Sequence, residues 1–268
     1  PITAAQVSQL VATTKFETAP SEAQPPAQLA GVSILLVEDI PTNQLIATEI
    51  LESFGATVQT ADNGRFALEK LLDQGRLFDI VLMDLQMPEI DGLEATRRIR
   101  ASGRHANLPI IAMTAHALED EKRRCTEAGM NDFLSKPIDP VLLQQVLLRW
   151  KPGVAMPEKI PPRGPSTATD ANGLPELPGI DTLEGLQRMM NKPRLYERIL
   201  RDFHGRFVNE AGMIRQALAE GDRDSAQRGA HSTKGLAGSI GAHDLQMASL
   251  ALEQAIEANT PDLESCLN

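Results

Sequence analysis

The rhythm of apolar positions changes near residue 180, and that change divides the chain. From residue 32 onward, short unbroken apolar runs alternate with stretches in which apolar residues recur every third or fourth position. A short run bounded by turn residues is the pattern of a strand buried on both faces, and the longer recurrence is that of a helix with one buried stripe. Runs at 34–37, 57–61, 80–84 and 109–113, and a short one at Phe133, predict five strands. The stripe of Leu45, Ile46, Ile50, Leu51 and Phe54, halted at Gly55, predicts the first helix. Further helices are expected through Ala67, Leu68, Leu71 and Leu72, over 93–100, up to Gly129, and over 141–150. Five such repeats imply an α/β, doubly wound, five-stranded parallel sheet, because right-handed crossovers lay helices over both of its faces.

Past residue 180 only the helical rhythm remains. Helices are predicted at 182–190, at 193–219 with a break near Phe207, at 224–239 and at 244–258, punctuated by Gly221 and Gly241. This is the signature of an all-α antiparallel helical bundle. Between the two modules, proline recurs from Pro152 to Pro178 with interspersed Gly, Ser and Thr, which removes backbone donors and suits an extended, semi-rigid spacer. The expected organisation is therefore a connector at 1–30, a sheet module at 31–150, a Pro-rich linker at 151–179 and a helical module at 180–268. The connector, rich in Ala, Thr, Gln and Pro, leaves room for a short helix over 7–11. The chain opens at Pro1 and stops a few residues into what reads as another helix, so it is expected to be a piece of a longer protein.

The candidate chemistry of the first module sits where its strands stop. The run IVLMD ends in Asp84 and is followed by a loop bearing Pro88 and Gly92. A lone Asp after a strand is ordinarily a turn or helix cap. Three other strand ends alter that reading: SILLV is followed by Glu38 and Asp39, PIIAM by Thr114 and Ala115, and DFLS by Lys136 and Pro137. In a parallel sheet all four ends lie on one edge, the edge at which open α/β folds bind ligands, so three carboxylates, a hydroxyl and an ammonium converge.

This ordered set resembles the receiver domain of two-component response regulators, over roughly residues 31–150, and the resemblance implies a flavodoxin-like fold. It further implies that Asp84 is the phosphoacceptor and that Lys136 and Thr114 contact the phosphoryl group. Glu38, Asp39, Asp84 and the backbone carbonyl of Gln86 would hold a Mg2+ ion, with Thr114 and Phe133 as switch residues. Ile40 stands where such domains often carry a polar residue, which would alter access to the pocket. An Asp-nucleophile phosphatase of another α/β family would usually place a second Asp two positions after the first; Gln86 is there instead.

The second centre is AHSTKGLAGSIGA, residues 230–242. His231, Lys234, Gly235 and Gly238 fall at i, i+3, i+4 and i+7 and so share one helical face. Each helical glycine costs about 1 kcal/mol against alanine, so either close helix packing or a docking partner must need the space. A histidine with small neighbours and an ammonium nearby suits attack on a phosphoryl group presented by another protein, the lysine offsetting its charge. The order His, Lys, Gly resembles the histidine-containing phosphotransfer domain over residues 180–268, with His231 as the nucleophile; Thr233 stands where that family commonly has an apolar residue. His105, His204 and His243 read as solvated, and His116 as a surface residue near the acidic edge.

Charge and composition narrow the partners. With 26 Lys and Arg against 36 Asp and Glu, the net charge of -10 and the lack of a basic stripe speak against nucleic acid. Cys125 and Cys266 lack disulfide or zinc spacing, which suits a reducing, cytoplasmic setting. No apolar run approaches the roughly 18 residues that cross a bilayer, so no membrane contact is expected of this stretch, although a parent anchored in the inner membrane is compatible with it. No ATP-cradling Gly-rich signature occurs. The two resemblances together imply the receiver and phosphotransfer portion of a hybrid sensor histidine kinase, taking phosphate from an upstream histidine kinase domain and passing it to a downstream response regulator. The alternative is a regulatory interaction module whose receiver tunes a kinase without relay through His231.

Overall fold

In the computed structural model, residues 28–114, 119–151 and 177–258 are described, the side chains of 206–208 excepted. Residues 1–27 of the predicted connector, nearly all of the linker, Cys266 and the last ten residues lie outside them. The chain forms two compact units.

In the first unit five parallel strands, β1 (Ser33–Val37), β2 (Thr57–Ala61), β3 (Ile80–Asp84), β4 (Ile110–Thr114) and β5 (Asp132–Ser135), stand in the order 2-1-3-4-5. Every residue of β3 and β4 is buried, which is why their sequences read as unbroken apolar runs. The order reverses between β1 and β3, paired in register from Ile34 opposite Ile80 to Val37 opposite Met83. That reversal opens a crevice at the carboxyl ends of exactly the two strands that carry acids. The helices are α1 (Pro41–Ser53), α2 (Gly64–Leu68), α3 (Gly92–Ala101), α4 (Glu119–Ala128) and α5 (Pro140–Trp150). α2 does not continue as an α-helix through Leu72 as expected: residues Glu69–Asp73 widen into a π turn, closed by Gln74 N–H donating to the Glu69 carbonyl at 2.9 Å. Lys151 ties the two ends of the unit together through the Gln28 carbonyl at 2.6 Å.

The second unit contains α6 (Thr182–Arg188), α7 (Pro193–Glu220), α8 (Arg223–Ile240) and α9 (His243–Glu257). α7 runs unbroken for 28 residues, so the break expected near Phe207 does not occur. Gly221 and Gly241, both left-handed, end α7 and α8. A side chain at Gly241 would lie 2.2 Å from the Asp181 carbonyl, so glycine lets the start of α6 close on the α8–α9 turn, where Asp181 N–H donates to Gly241 at 2.8 Å. Ala226 and Ala230 of α8 meet Ile214, Leu252 and Ile256 in the core, and Tyr196 reaches across to the Ile240 carbonyl at 2.8 Å. No described helix is long and apolar enough to cross a membrane.

Candidate functional site

Of the strand-end residues, the three acids and the lysine meet, whereas the Thr114 hydroxyl turns to Glu121. Asp84 closes β3 with 2% of its surface exposed, and Lys136, just past β5, donates 2.6 Å bonds to both Asp84 Oδ2 and Glu38 Oε2. Carboxylate oxygens of Glu38, Asp39 and Asp84 lie within 4.8 Å of one another. The loop after β3 is shaped for this. Asp91 caps α3 by accepting from Glu94 N–H at 2.7 Å, and Gly92 follows because a Cβ there would stand 2.1 Å from the Asp84 carbonyl oxygen. Glu89, in a left-handed conformation unusual for a side chain of its size, is held by Asn63 Nδ2 at 2.9 Å and by Arg65 Nε at 2.6 Å.

Three acids face one ammonium. Burial raises the Asp84 carboxyl to about 7, against the pull of Lys136 and with added repulsion from Glu38 and Asp39. Burial acts to lower Lys136, but Asp84 and Glu38 outweigh it and hold the ammonium charged, above its ordinary range. The donor set suits a hard divalent cation: oxygens only, with excess negative charge. Glu38 is nonetheless heavily engaged, taking Lys136 on one oxygen and Asn43 Nδ2 at 2.9 Å and Ile40 N–H at 3.4 Å on the other. Ile40, the residue singled out for its side chain, serves the pocket with its backbone.

Thr114 ends β4 and donates its hydroxyl to Glu121 of α4. Phe133 is 37% exposed, its ring lying 4.8 Å from the Lys122 ammonium, so it is not an ordinary core phenylalanine. The sequence offered no sign that neighbouring residues of α4 hold both of these side chains. Gln86 N–H donates to Asp84 Oδ1 at 3.3 Å. Ala115 and His116 lie outside the described residues. His105 is a tether rather than a solvated residue: its Nε2 meets the Leu71 carbonyl at 3.1 Å. His243 is exposed but pairs with Glu184 at 2.6 Å.

In the second unit His231 and Lys234 both turn inward. Each is under 10% exposed, and both meet Glu253 of α9: His231 Nδ1 lies 2.8 Å from one carboxylate oxygen, and Lys234 Nζ donates to the other. Burial acts to raise Glu253, but the bonds from His231 and Lys234 outweigh it and hold the carboxyl at about 2. Sequence reasoning missed Glu253; its one signal was an acid on the stripe that also carries Ser249, Leu252 and Ile256, all buried. The glycines separate by purpose. A Cβ at Gly229 would come within 2.7 Å of Ile214, whereas one at Gly235 would meet nothing within 4 Å. Close packing of helices therefore explains Gly229 and not Gly235.

Residues 34–148 match the family model for the response regulator receiver domain, and residues 198–267 that for the Hpt domain. Sensor protein GacS of Pseudomonas syringae pv. syringae is 34% identical over 247 residues, covering 91% of this chain and 27% of the relative. Aerobic respiration control sensor protein ArcB of Escherichia coli K12 is 32% identical over 238 residues, covering 88% of this chain and 28% of that protein. The chain thus spans little more than a quarter of these relatives. The receiver domain of sensor histidine kinase PA1611 from Pseudomonas aeruginosa PAO1, solved with a magnesium ion coordinated in its active site cleft, is 43% identical over 45% of this chain and 98% of that one, with a TM-score of 0.42.

Proposed function

From the premise that this chain belongs to the two-component phosphorelay family, with one receiver domain and one Hpt domain, we propose that it carries phosphoryl groups from a kinase phosphohistidine to Asp84, then to His231, and on to a separate response regulator. The observation that carries this reading is that one chain holds both halves of the exchange: a buried carboxylate bonded to an ammonium at a sheet edge, and a buried imidazole bonded to a carboxylate in a helical unit. The receiver is assigned to residues 31–150 and the phosphotransfer domain to 180–268, with 151–179 as the tether.

Phosphoryl transfer has a loose transition state, so most of the catalysis is alignment and charge neutralisation. Asp84 is the acceptor: a carboxylate oxygen bonds to phosphorus as the nitrogen–phosphorus bond of the donor histidine breaks. Lys136, already 2.6 Å from Asp84, moves to the incoming oxygens. Glu38, Asp39 and Asp84, with the backbone carbonyl of Gln86, would hold the Mg2+ ion. When bound, the ion neutralises the surplus carboxylate charge and the charge on the phosphoryl oxygens. Thr114 leaves Glu121 for the aspartyl phosphate, and Phe133 leaves Lys122, which shifts the balance between two surface shapes.

Isotopically labelled phosphate from a cognate kinase tests the relay. Label should reach His231 in the native chain and be absent from His231 in Asp84→Asn. Label that remains on Asp84 would instead support an interaction module tuned by the receiver.

A further inference from the structure

We infer that Glu89, on the loop after β3, and Asn63 and Arg65, at the start of α2, form a clasp that fixes the position of Gln86 and so sets how tightly the pocket holds a divalent cation. This rests on the reading of Glu38, Asp39, Asp84 and the Gln86 carbonyl as a Mg2+ site. Gln86 and Glu89 share one loop, residues 85–91, closed at its base by Gly92 N–H donating to the Leu85 carbonyl at 3.1 Å. Ile90 N–H donates to the Pro88 carbonyl at 2.8 Å and keeps the crest of the loop compact. A compact loop closed at its base can still tilt as one piece, carrying Gln86 with it. The start of α2 opposes that tilt.

Three hydrogen bonds join the crest to α2. Asn63 Nδ2 donates to one Glu89 oxygen at 2.9 Å, Arg65 Nε to the other at 2.6 Å, and Gly64 N–H to the Ile90 carbonyl at 3.2 Å. Gly64 permits this approach, since a Cβ there would stand 2.5 Å from that carbonyl oxygen. The two side-chain donors are themselves held: Asn63 accepts from Phe66 N–H at 3.1 Å, and the Arg65 guanidinium lies 4.1 Å from the centre of the Phe66 ring. The backbone of Glu89 supplies an independent argument. Its φ of 66° favours glycine or asparagine, and a glutamate there is strained. A turn with no further task would be better served by glycine, so the carboxylate is what the position needs. With both partners about half exposed, the Arg65–Glu89 pair adds little to the stability of the fold. Its effect is positional: it selects one tilt of the loop among several of similar energy.

The test titrates Mg2+ into the full chain by calorimetry at pH 8, with Asp39→Asn marking any heat that arises elsewhere. Glu89→Gly relieves the backbone and removes both side-chain bonds, so Mg2+ should bind about tenfold more weakly. In the metal-free protein the Gly64 amide of this variant should exchange with solvent about tenfold faster, because the loop it donates to is released. Arg65→Gln separates the clasp from simple electrostatics. Removing a positive charge would by itself tighten Mg2+ binding to an acidic pocket, whereas loss of the clasp should weaken it by about threefold. Arg65→Gln combined with Glu89→Gln leaves the net charge unchanged and should bind about as weakly as Glu89→Gln alone, since the two side chains act through one contact. Native or tighter Mg2+ binding in Arg65→Gln, or native affinity or native Gly64 exchange in Glu89→Gly, overturns the proposal. The reading of the pocket fails separately, if the native chain takes up Mg2+ no better than Asp39→Asn does.

Discussion

Replacing Asp84 with Asn should make the metal-free protein more stable, by an amount that grows with pH. The native carboxyl is raised from 3.8 to about 7, chiefly by burial, with Glu38 and Asp39 adding repulsion that Lys136 only partly offsets. A group whose folded value lies above its unfolded value binds its proton more tightly when folded. Its ionisation therefore costs nothing below the unfolded value, costs progressively more through the interval, and reaches a plateau above the folded value. At about 1.4 kcal/mol for each pH unit, the full interval amounts to about 4 kcal/mol, and the part between pH 5 and 7 to about 2–3 kcal/mol. Asparagine stands in for the protonated form and escapes this cost, although it leaves Lys136 with Glu38 alone. Urea unfolding of both chains from pH 5 to 8.5 without divalent cations should show Asp84→Asn ahead, with the gap widening by about 2 kcal/mol between pH 5 and 7. Magnesium should narrow it at pH 8 by stabilising the native chain, by about 2.7 kcal/mol at a hundredfold excess over its dissociation constant. A gap that is constant with pH, or a variant that is less stable at pH 8, would refute the claim that burial and like charge dominate this pocket.

Three other substitutions separate packing from signalling. Glu121→Ala removes the acceptor of the Thr114 hydroxyl, a charge-assisted bond worth about 1.5 kcal/mol, so beryllofluoride with magnesium should bind about tenfold more tightly by calorimetry. Unchanged or weaker binding would mean that Glu121 does not restrain the resting state. Gly92→Ala places a methyl group 2.1 Å from the Asp84 carbonyl and should cost about 3 kcal/mol or more in urea unfolding, since α3 must move off β3; a loss under about 1 kcal/mol would show that the loop gives way freely. Gly235→Ala meets open space and gains about 1 kcal/mol of helix propensity, so the melting temperature should rise while transfer from Asp84 to His231 slows by about tenfold. A more stable variant that transfers at the native rate would leave Gly235 with no role in docking.

Legibility in the sequence followed from how many partners decide a residue's place. β1, β3 and β4 are buried on both faces, so each announces itself as an apolar run, and the acids that follow β1 and β3 stand out against it. β2 at the sheet edge has the mixed sequence TVQTA and was legible mainly from its spacing between two helices. The π turn at Glu69–Asp73 left no mark, because one extra residue in a turn alters the hydrophobic rhythm too little to notice. The continuity of α7 through Gly205 and Gly212 was hidden for a related reason: local propensity disfavours glycine in a helix, whereas packing along α8 sustains it. Glu121 and Glu253 were missed because nothing near them in sequence names their partners. Thr114 lies seven residues from Glu121 across a strand end, and His231 lies 22 residues from Glu253 on another helix.

The two centres differ in their balance of charge. At Asp84 three carboxylates share one ammonium, which leaves surplus negative charge in a buried site. On the reading of Asp84 as phosphoacceptor, a further dianionic group would enter such a pocket together with a cation that offsets the surplus charge. At His231 one carboxylate, Glu253, faces the Lys234 ammonium and the imidazole, so no surplus negative charge is left there. In the proposed relay, Lys234, three residues on along the same helical face, is at hand to offset the charge of a phosphoryl group on His231. In that relay a pocket with surplus negative charge is suited to switching, since bringing in a cation relieves the repulsion. A balanced acceptor is suited to carriage, because it can take up and release the same group with little rearrangement beyond one lysine side chain.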